Sequence, residues 1–138
     1  MSEYVKPLPV LGDDLSRAYW EAAREGRLLV QRCRACGEHQ LYPRRHCVHC
    51  FAPEPEWVEA KGTGRLHTFS VVHRTATPGF AEEVPYVFGI VELDEGPRLT
   101  VNVVDTPLEE LRCDLPVRVV FTRVTDELAL PNVTRREA

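Results

Sequence analysis

Apolar and polar residues alternate along the second half of the chain with the period of two that is typical of half-buried β-strands. The alternating stretches are rich in Val, Leu, Thr and Phe, and turn residues such as those at 94–97 separate them. The pattern predicts five strands, over Arg65–His73, Tyr86–Leu93, Arg98–Val104, Val117–Val124 and Glu127–Leu130. Residues 105–114, between the third and fourth strands, have room for one helical turn. This arrangement matches the small, partly open Greek-key barrel called the OB-fold.

The first part of the chain has a different pattern. Residues 1–11 are apolar and spaced by prolines, which predicts an extended arm that docks on this chain or on another. Apolar residues then recur at helical spacing and stop at Gly26, which predicts a helix over Asp13–Glu25. Tyr19 and Trp20 are adjacent, so they point about 100° apart on such a helix. One of them is therefore expected to pack outward, over the ribbon described below or against a partner.

Four cysteines lie between these two parts of the chain. Cys33 and Cys36 form one Cys-x-x-Cys pair, and Cys47 and Cys50 form a second pair after ten intervening residues. Each pair can aim two sulfurs at one point, and two pairs supply the four tetrahedral ligands that a structural zinc takes. The spacing therefore predicts a zinc site.

Other interpretations of these cysteines are open. Disulfides need an oxidising compartment, whereas the first residues lack the apolar run of a secretion signal, so a reducing, cytoplasmic location is expected. Two pairs at this spacing do not favour a redox motif. Iron also accepts tetrahedral thiolates and the sequence does not separate the two metals, although structural sites of this kind favour zinc. The nearby His39, His46 and His49 are not needed, because four sulfurs complete the shell.

These elements combine into a mainly β protein. Leu28–Arg32 and His39–Tyr42 predict a two-stranded ribbon around the cysteines, too small to fold without its metal. The turn at 62–64 predicts the boundary with the barrel. We expect an N-terminal arm and helix over 1–27, a zinc ribbon over 28–61 and a five-stranded OB barrel over 62–138.

Charge and composition narrow the function. The chain has 138 residues, a formal net charge of −4 and no apolar run long enough to cross a membrane. Single-stranded nucleic-acid binding is the alternative function, since zinc ribbons and OB barrels both serve it, but the overall charge does not attract a polyanion. The barrel aromatics also alternate in a way that predicts burial rather than an exposed stacking platform; these are Phe69, Tyr86, Phe88 and Phe121.

Arginines concentrate on the predicted ribbon. Guanidinium groups suit the phosphates of coenzyme A, although a solvated surface that balances the thiolate charge explains the cluster equally well. The candidate ligand-binding residues are Arg32, Arg34, Arg44 and Arg45, together with His46.

The sequence lacks a nucleophile elbow, a phosphate loop and a dinucleotide fingerprint, and its fifth cysteine, Cys113, is predicted to be an ordinary half-buried residue. These absences are consistent with a protein that is not an enzyme, and no residue is singled out as catalytic.

Several motifs together resemble one family from Trp20 to Pro131. They are Arg-Cys-Arg-Ala-Cys-Gly at 32–37, Pro-Arg-Arg-His-Cys-Val-His-Cys at 43–50, Gly-Thr-Gly at 62–64 and Val-Glu-Leu-Asp-Glu-Gly-Pro at 91–97. They are similar to the thiolase-associated family that has an N-terminal helical segment, a rubredoxin-like zinc ribbon and a C-terminal OB-fold. The metal motif of that family carries over to Cys33, Cys36, Cys47 and Cys50.

The resemblance implies a non-catalytic accessory subunit. Members resemble acyl-CoA-binding or scaffolding proteins that pair with thiolases, thiolase-like synthases, or the thiolase-fold aldolases and hydratases that shorten sterol side chains. In some members the domain is fused to a hydratase-like module. We therefore expect structural zinc, a thiolase-like or aldolase partner, a hydratase as a further partner and a coenzyme A thioester as ligand. The loop over Thr75–Pro85 is long for a hairpin, and its Phe80 joins Tyr19 and Trp20 as a candidate partner-binding residue.

Overall fold

The computed structural model describes residues 14–76, 80–81, 83–126 and 128–136. The predicted N-terminal arm lies outside these residues. Over the described residues the chain forms one α-helix, eight strands and one 3-10 turn. In chain order they are α1 (Arg17–Arg24), β1 (Leu29–Arg32), β2 (His39–Gln40), β3 (Glu56–Glu59), β4 (Thr63–Val72), β5 (Tyr86–Leu93), β6 (Arg98–Val103), the 3-10 turn Leu108–Glu110, β7 (Pro116–Arg123) and β8 (Ala129–Arg135).

A three-stranded antiparallel sheet carries the cysteines. β1 is its central strand and pairs with β2 on one side and with β3 on the other. The expected return strand His39–Tyr42 ends already at Gln40, and the third strand was not predicted. β3 has no fully buried residue and follows two prolines, so its sequence carries little alternation.

The second sheet is a closed five-stranded barrel with the order β4-β5-β6-β8-β7, which confirms the predicted OB-type fold. Its neighbours pair antiparallel except β6 and β8, which pair in parallel at Val103 and Val133. β5 shows why the alternation was informative: Val87, Gly89, Val91 and Leu93 are buried, and the intervening residues are not. A Cβ at Gly89 would meet Leu66 Cδ1 at 2.8 Å, so a larger residue there would require the Leu66 side chain to shift inside the barrel.

The aromatic residues of the barrel correct one expectation. Phe69 and Phe121 pack against the core only in part, and Phe88 is 42% exposed. Tyr86 and Phe88 lie in the alternate phase to the buried residues of β5, so they project from the outer surface of the barrel. The prediction that these aromatics are core residues was wrong for this pair.

The element ends also differ from prediction. The helix begins at Arg17 after a turn over 14–16, whereas the predicted start at Asp13 lies outside the described residues. The last strand was expected over Glu127–Leu130 but runs to Arg135. It continues because it pairs with β7 along its whole length, including the position of Pro131 opposite Phe121. Tertiary pairing thus extends a strand whose own residues interrupt the alternation.

The helix α1 joins the two sheets. Its Tyr19 is 4% exposed and belongs to one apolar cluster with Leu28 and Val30 of the ribbon and Val117 and Val133 of the barrel. At the connection between the sheets, the Lys61 backbone N–H donates to the Glu95 carboxylate at 2.8 Å. The ribbon and the barrel therefore share a core.

Candidate metal centre and aromatic cleft

The two Cys-x-x-Cys turns bring four sulfurs together. All four Sγ atoms lie within 4.8 Å of one another. Across the two turns, Cys33 Sγ is 3.6 Å from Cys50 Sγ and Cys36 Sγ is 3.7 Å from Cys47 Sγ. Four sulfurs at Zn–S distances of about 2.3 Å around a tetrahedral ion stand about 3.8 Å apart, so the donor set fits such an ion. The arrangement is that of a structural metal site.

Backbone amides favour the ionised form of the sulfurs. The N–H groups of Ala35 and Cys36 point at Cys33 Sγ at 3.3 and 3.4 Å, and the His49 N–H points at Cys47 Sγ at 3.3 Å. The Cys36 N–H in particular lowers the pKa of the Cys33 thiol to about 6. At Cys36, the Glu38 N–H also favours the thiolate, but burial and the neighbouring thiols outweigh it and raise the pKa to about 12. One thiolate therefore forms readily, and a cation is the partner that would stabilise the others.

Two glutamines that the sequence analysis did not single out hold the second turn in place. Gln31 and Gln40 are 2% and 5% exposed, and Gln40 Nε2 donates to Gln31 Oε1 at 2.8 Å. The Gln31 side chain also bonds both backbone groups of Arg44, and Gln40 bonds the His46 carbonyl and the Val48 N–H. The hydrogen bonds of these side chains connect β1 and β2 to the second turn. Nothing local in the sequence marks these two residues, because glutamine is ordinarily an exposed residue.

A cleft of about 460 Å³ lies where the helix, the ribbon and the barrel meet. Its wall contains no Asp, Glu, Lys or Arg among the described residues. Aromatic rings dominate instead: Tyr19 and Trp20 stack edge to face with centroids 4.9 Å apart, and Phe80 and Tyr86 are 5.1 Å apart. The remaining wall includes Tyr42, Pro43, Phe88, Leu99 and Leu130. An uncharged aromatic cleft of this size suits an apolar group.

The cleft covers the seam of the barrel between β6 and β8. These strands pair only at Val103 and Val133. N–H groups elsewhere on this side of β6 therefore donate to side chains rather than to the backbone of β8. The Thr100 N–H donates to the Tyr42 hydroxyl at 2.9 Å, and the Asn102 N–H to the Asn132 amide oxygen at 3.4 Å. In an OB barrel the second and third strands form the usual ligand face. Here the chain's own helix and ribbon line that face.

The three predicted partner-binding residues all line this cleft. Tyr19 is buried and its pKa is raised, first by burial and then by Tyr42. Trp20 and Phe80 are half-buried at the cleft wall. We expected one of Tyr19 and Trp20 to pack outward. Tyr19 packs in the core, and Trp20 is the residue that faces outward, at the half-buried wall of the cleft.

The four predicted ligand-binding arginines lie on the ribbon, and Arg32 meets a carboxylate there. Arg32 lies 3.5 Å from Glu56, and Arg44 and Arg45 line a smaller cavity, of about 260 Å³, that also contains Asp14 and Glu54. Arg34 is exposed in the first turn. Phosphate binding by these arginines stays a prediction.

Ribbon, barrel and cysteine site together define the class: a small zinc-ribbon and OB-fold protein. Two family models match the chain in succession, the rubredoxin-like zinc ribbon domain of ChsH2 over residues 20–56 and the C-terminal OB-fold domain of ChsH2 over residues 57–122. The chain belongs to this ChsH2 (DUF35) family.

Relatives include scaffold proteins and enzyme subunits. The chain is 33% identical over 86% of its length to a DUF35 domain-containing scaffold protein of Methanocaldococcus jannaschii and covers 84% of that protein. It is 30% identical over 77% of its length to the benzoylsuccinyl-CoA thiolase subunit BbsA of Thauera aromatica, covering 73% of it. It is also 38% identical over 92% of its length to a probable enoyl-CoA hydratase alpha subunit of Thermomonospora curvata, but spans only 39% of that relative.

A solved structure agrees with the whole arrangement. The chain superposes on a chain of the Ltp2-ChsH2(DUF35) aldolase with a TM-score of 0.81 and 34% identity, covering 92% of this chain and 98% of the other. Within the described residues, no helix has both the length and the apolar character needed to span a membrane.

Proposed function

We propose that this protein is a non-catalytic accessory subunit that binds and supports a thiolase-fold enzyme acting on coenzyme A thioesters, such as a thiolase, a synthase or a sterol side-chain aldolase. The observation that carries the proposal is the likeness to a chain of the Ltp2-ChsH2(DUF35) aldolase, which this chain covers almost completely. A hydratase is a further candidate partner, because a relative that contains this region is named a hydratase subunit. We place the complex in the cytoplasm.

The uncharged cleft supports this role. Interfaces concentrate aromatic residues, and Tyr19, Trp20 and Phe80 present theirs at its wall. In this proposal the partner enzyme, or the acyl group of its substrate, contacts the cleft, and the ribbon arginines contact the phosphates of coenzyme A. The described parts of the three predicted units, 1–27, 28–61 and 62–138, then act together around the shared core.

The metal in this proposal is zinc, held by Cys33, Cys36, Cys47 and Cys50, and its role is structural. The protein purified in the presence of both zinc and iron should be colourless and contain one zinc per chain by elemental analysis. A coloured preparation with one iron per chain would contradict this assignment.

Complex formation tests the proposed function directly. A tagged chain should copurify, at fixed stoichiometry, with the untagged thiolase-fold subunit produced from a neighbouring gene, and should raise its turnover of a coenzyme A thioester. Trp20→Ala and Phe80→Ala should weaken the complex. Absence of complex with every thiolase-fold subunit of the source genome would contradict the proposal.

Calorimetric titration with a coenzyme A thioester tests direct ligand contact. The double variant Arg44→Glu and Arg45→Glu should remove the heat of binding, whereas Arg118→Glu on the exposed side of β7 is the matched control. No heat at millimolar ligand would rule out this contact and leave scaffolding alone.

Nucleic-acid binding is the weaker alternative. The usual OB ligand face is a cleft of about 460 Å³ lined in part by the chain's own α1 and by Tyr42 and Pro43, and its described wall has no Lys or Arg to contact the phosphates of a strand. Affinity for a single-stranded oligonucleotide that falls steeply with salt would favour it over the accessory role.

A further inference from the structure

The second cysteine turn exposes a large aromatic side chain at a strained position. Phe51 directly follows Cys50, is 79% exposed and has a φ of 63°. In the first turn the matching position, directly after Cys36, is Gly37 with a φ of 79°. The turn geometry therefore calls for a left-handed residue in both places, and a residue with a Cβ is disfavoured there. The chain places phenylalanine where glycine would fold more easily.

The described part of the chain offers no packing for Phe51 that would compensate. Val48, on the same turn, is 55% exposed, and these two are the most exposed large hydrophobic residues in the described ranges. Both side chains therefore leave apolar surface in water at the tip of one turn. Such a pair is expected where another surface covers it.

The tip is held rigidly. The Phe51 N–H donates to the Cys47 carbonyl at 3.0 Å, and the Cys47 N–H donates to the Ala52 carbonyl at 2.9 Å. The Val48 N–H donates to Gln40 Oε1 at 2.9 Å, which ties the tip to the ribbon sheet. A side chain presented on a fixed backbone loses little entropy on binding, so it can serve as an interface anchor.

The charge beside the tip indicates what kind of surface it meets. Arg44 and Arg45 precede the turn and Glu54 follows it, so this segment carries more positive than negative side chains on a chain whose net charge is −4. Aromatic and arginine side chains together are typical of interface anchors. We propose that Phe51 and Val48 insert into an apolar pocket with carboxylates at its rim on the thiolase-fold partner subunit. This inference rests on the proposed function.

Other occupants are less compatible with the same observations. A second copy would bring two positively flanked tips together. A nucleic acid would stack on a row of aromatics, whereas Phe51 has an aliphatic neighbour on its turn and the whole chain is acidic.

The substitution Phe51→Gly separates binding from folding, because glycine suits the backbone at this φ. The variant should bind one zinc and unfold at the same or a higher denaturant concentration than the wild type. Its affinity for the purified thiolase-fold subunit that forms a complex with the wild type should fall by roughly 30-fold or more, as for an interface anchor. Leu108→Ser, which removes a 44% exposed hydrophobic residue from the barrel, is the matched control and should bind as the wild type does.

Each contrary outcome has its own meaning. Wild-type affinity of Phe51→Gly would overturn this inference and leave the proposed function standing. Loss of stability or of zinc in the variant would assign Phe51 a structural role. A change in self-association would assign the tip to a second copy, and a change in oligonucleotide binding would assign it to nucleic acid. Each of these results would overturn the inference. If the wild type binds no thiolase-fold subunit, the proposed function fails and this inference fails with it.

Discussion

The ribbon and the barrel are both small β-structures, but they are stabilised by different means. The barrel interior is aliphatic, with Leu66, Val91, Leu99 and Val117 at most 1% exposed. The ribbon contributes Leu28 and Val30 to the shared core, but around its cysteine site it buries Cys33, Cys47 and the hydrogen-bonded pair Gln31 and Gln40. A metal and a polar network thus help to stabilise the ribbon, whereas apolar burial stabilises the barrel. The ribbon geometry therefore depends on a few specific groups, whereas the barrel depends on many interchangeable ones.

Loss of a metal ligand should have the largest effect, and it should act on the ribbon more than on the barrel. Cys47→Ser replaces the sulfur that lies 3.7 Å from Cys36 Sγ with an oxygen, which is a weaker zinc ligand. Structural zinc supplies about 10 kcal/mol or more in small domains, so the ribbon should unfold while the barrel keeps much of its structure. Hydrogen exchange should show lost protection in β1 and β3 and retained protection in β5.

Cys113→Ser is the control for this substitution, since Cys113 is exposed and outside the cluster. It should leave zinc content and exchange unchanged. If Cys47→Ser keeps its protected ribbon, or if both sheets unfold together, the metal is not the separate support of the ribbon described above.

Most of the fold was predictable from local pattern. The cysteine spacing predicted the site because two Cys-x-x-Cys turns have few other uses at this spacing, and the alternation of β5 predicted its strand to the residue. The third ribbon strand and the end of β8 were not predictable, because pairing with β1 and with β7 determines them rather than the pattern of their own residues. The phase of Tyr86 and Phe88 was misread, since an aromatic in an alternating strand occupies either face.

A close backbone contact tests the barrel without touching the ribbon. A Cβ on Gly64 would lie 2.3 Å from the Glu92 carbonyl oxygen, which belongs to the neighbouring strand and cannot rotate away. Gly64→Ala should therefore lower the free energy of unfolding of the barrel by about 3 kcal/mol through overpacking. Denaturant unfolding followed by circular dichroism measures this change, and zinc content should stay at one per chain. Ser70→Ala, at an exposed position of the same strand, should have little effect, and an equal loss in both variants would contradict the contact as the cause.

The candidate site was less predictable than the fold. The spacing of the cysteines predicts the metal site, whereas the cleft forms only because α1, Tyr42 and the β6–β8 seam meet in space. Glutamines are ordinarily exposed, so nothing local marked Gln31 and Gln40 as buried supports of the second turn.

Gln40 tests whether hydrogen bonds, rather than volume, support the ribbon. Gln40→Ala leaves the His46 carbonyl and the Val48 N–H without their side-chain partner. This should lower the free energy of unfolding by about 2 kcal/mol and weaken zinc binding about tenfold. Gln40→Met nearly restores the volume but none of the hydrogen bonds, so it should bind zinc as weakly as the alanine variant in a chelator competition. If methionine restored wild-type affinity, packing alone would support the turn. The ribbon would then resemble the barrel in its tolerance of apolar replacement, and the difference between the two sheets would reduce to the four sulfurs.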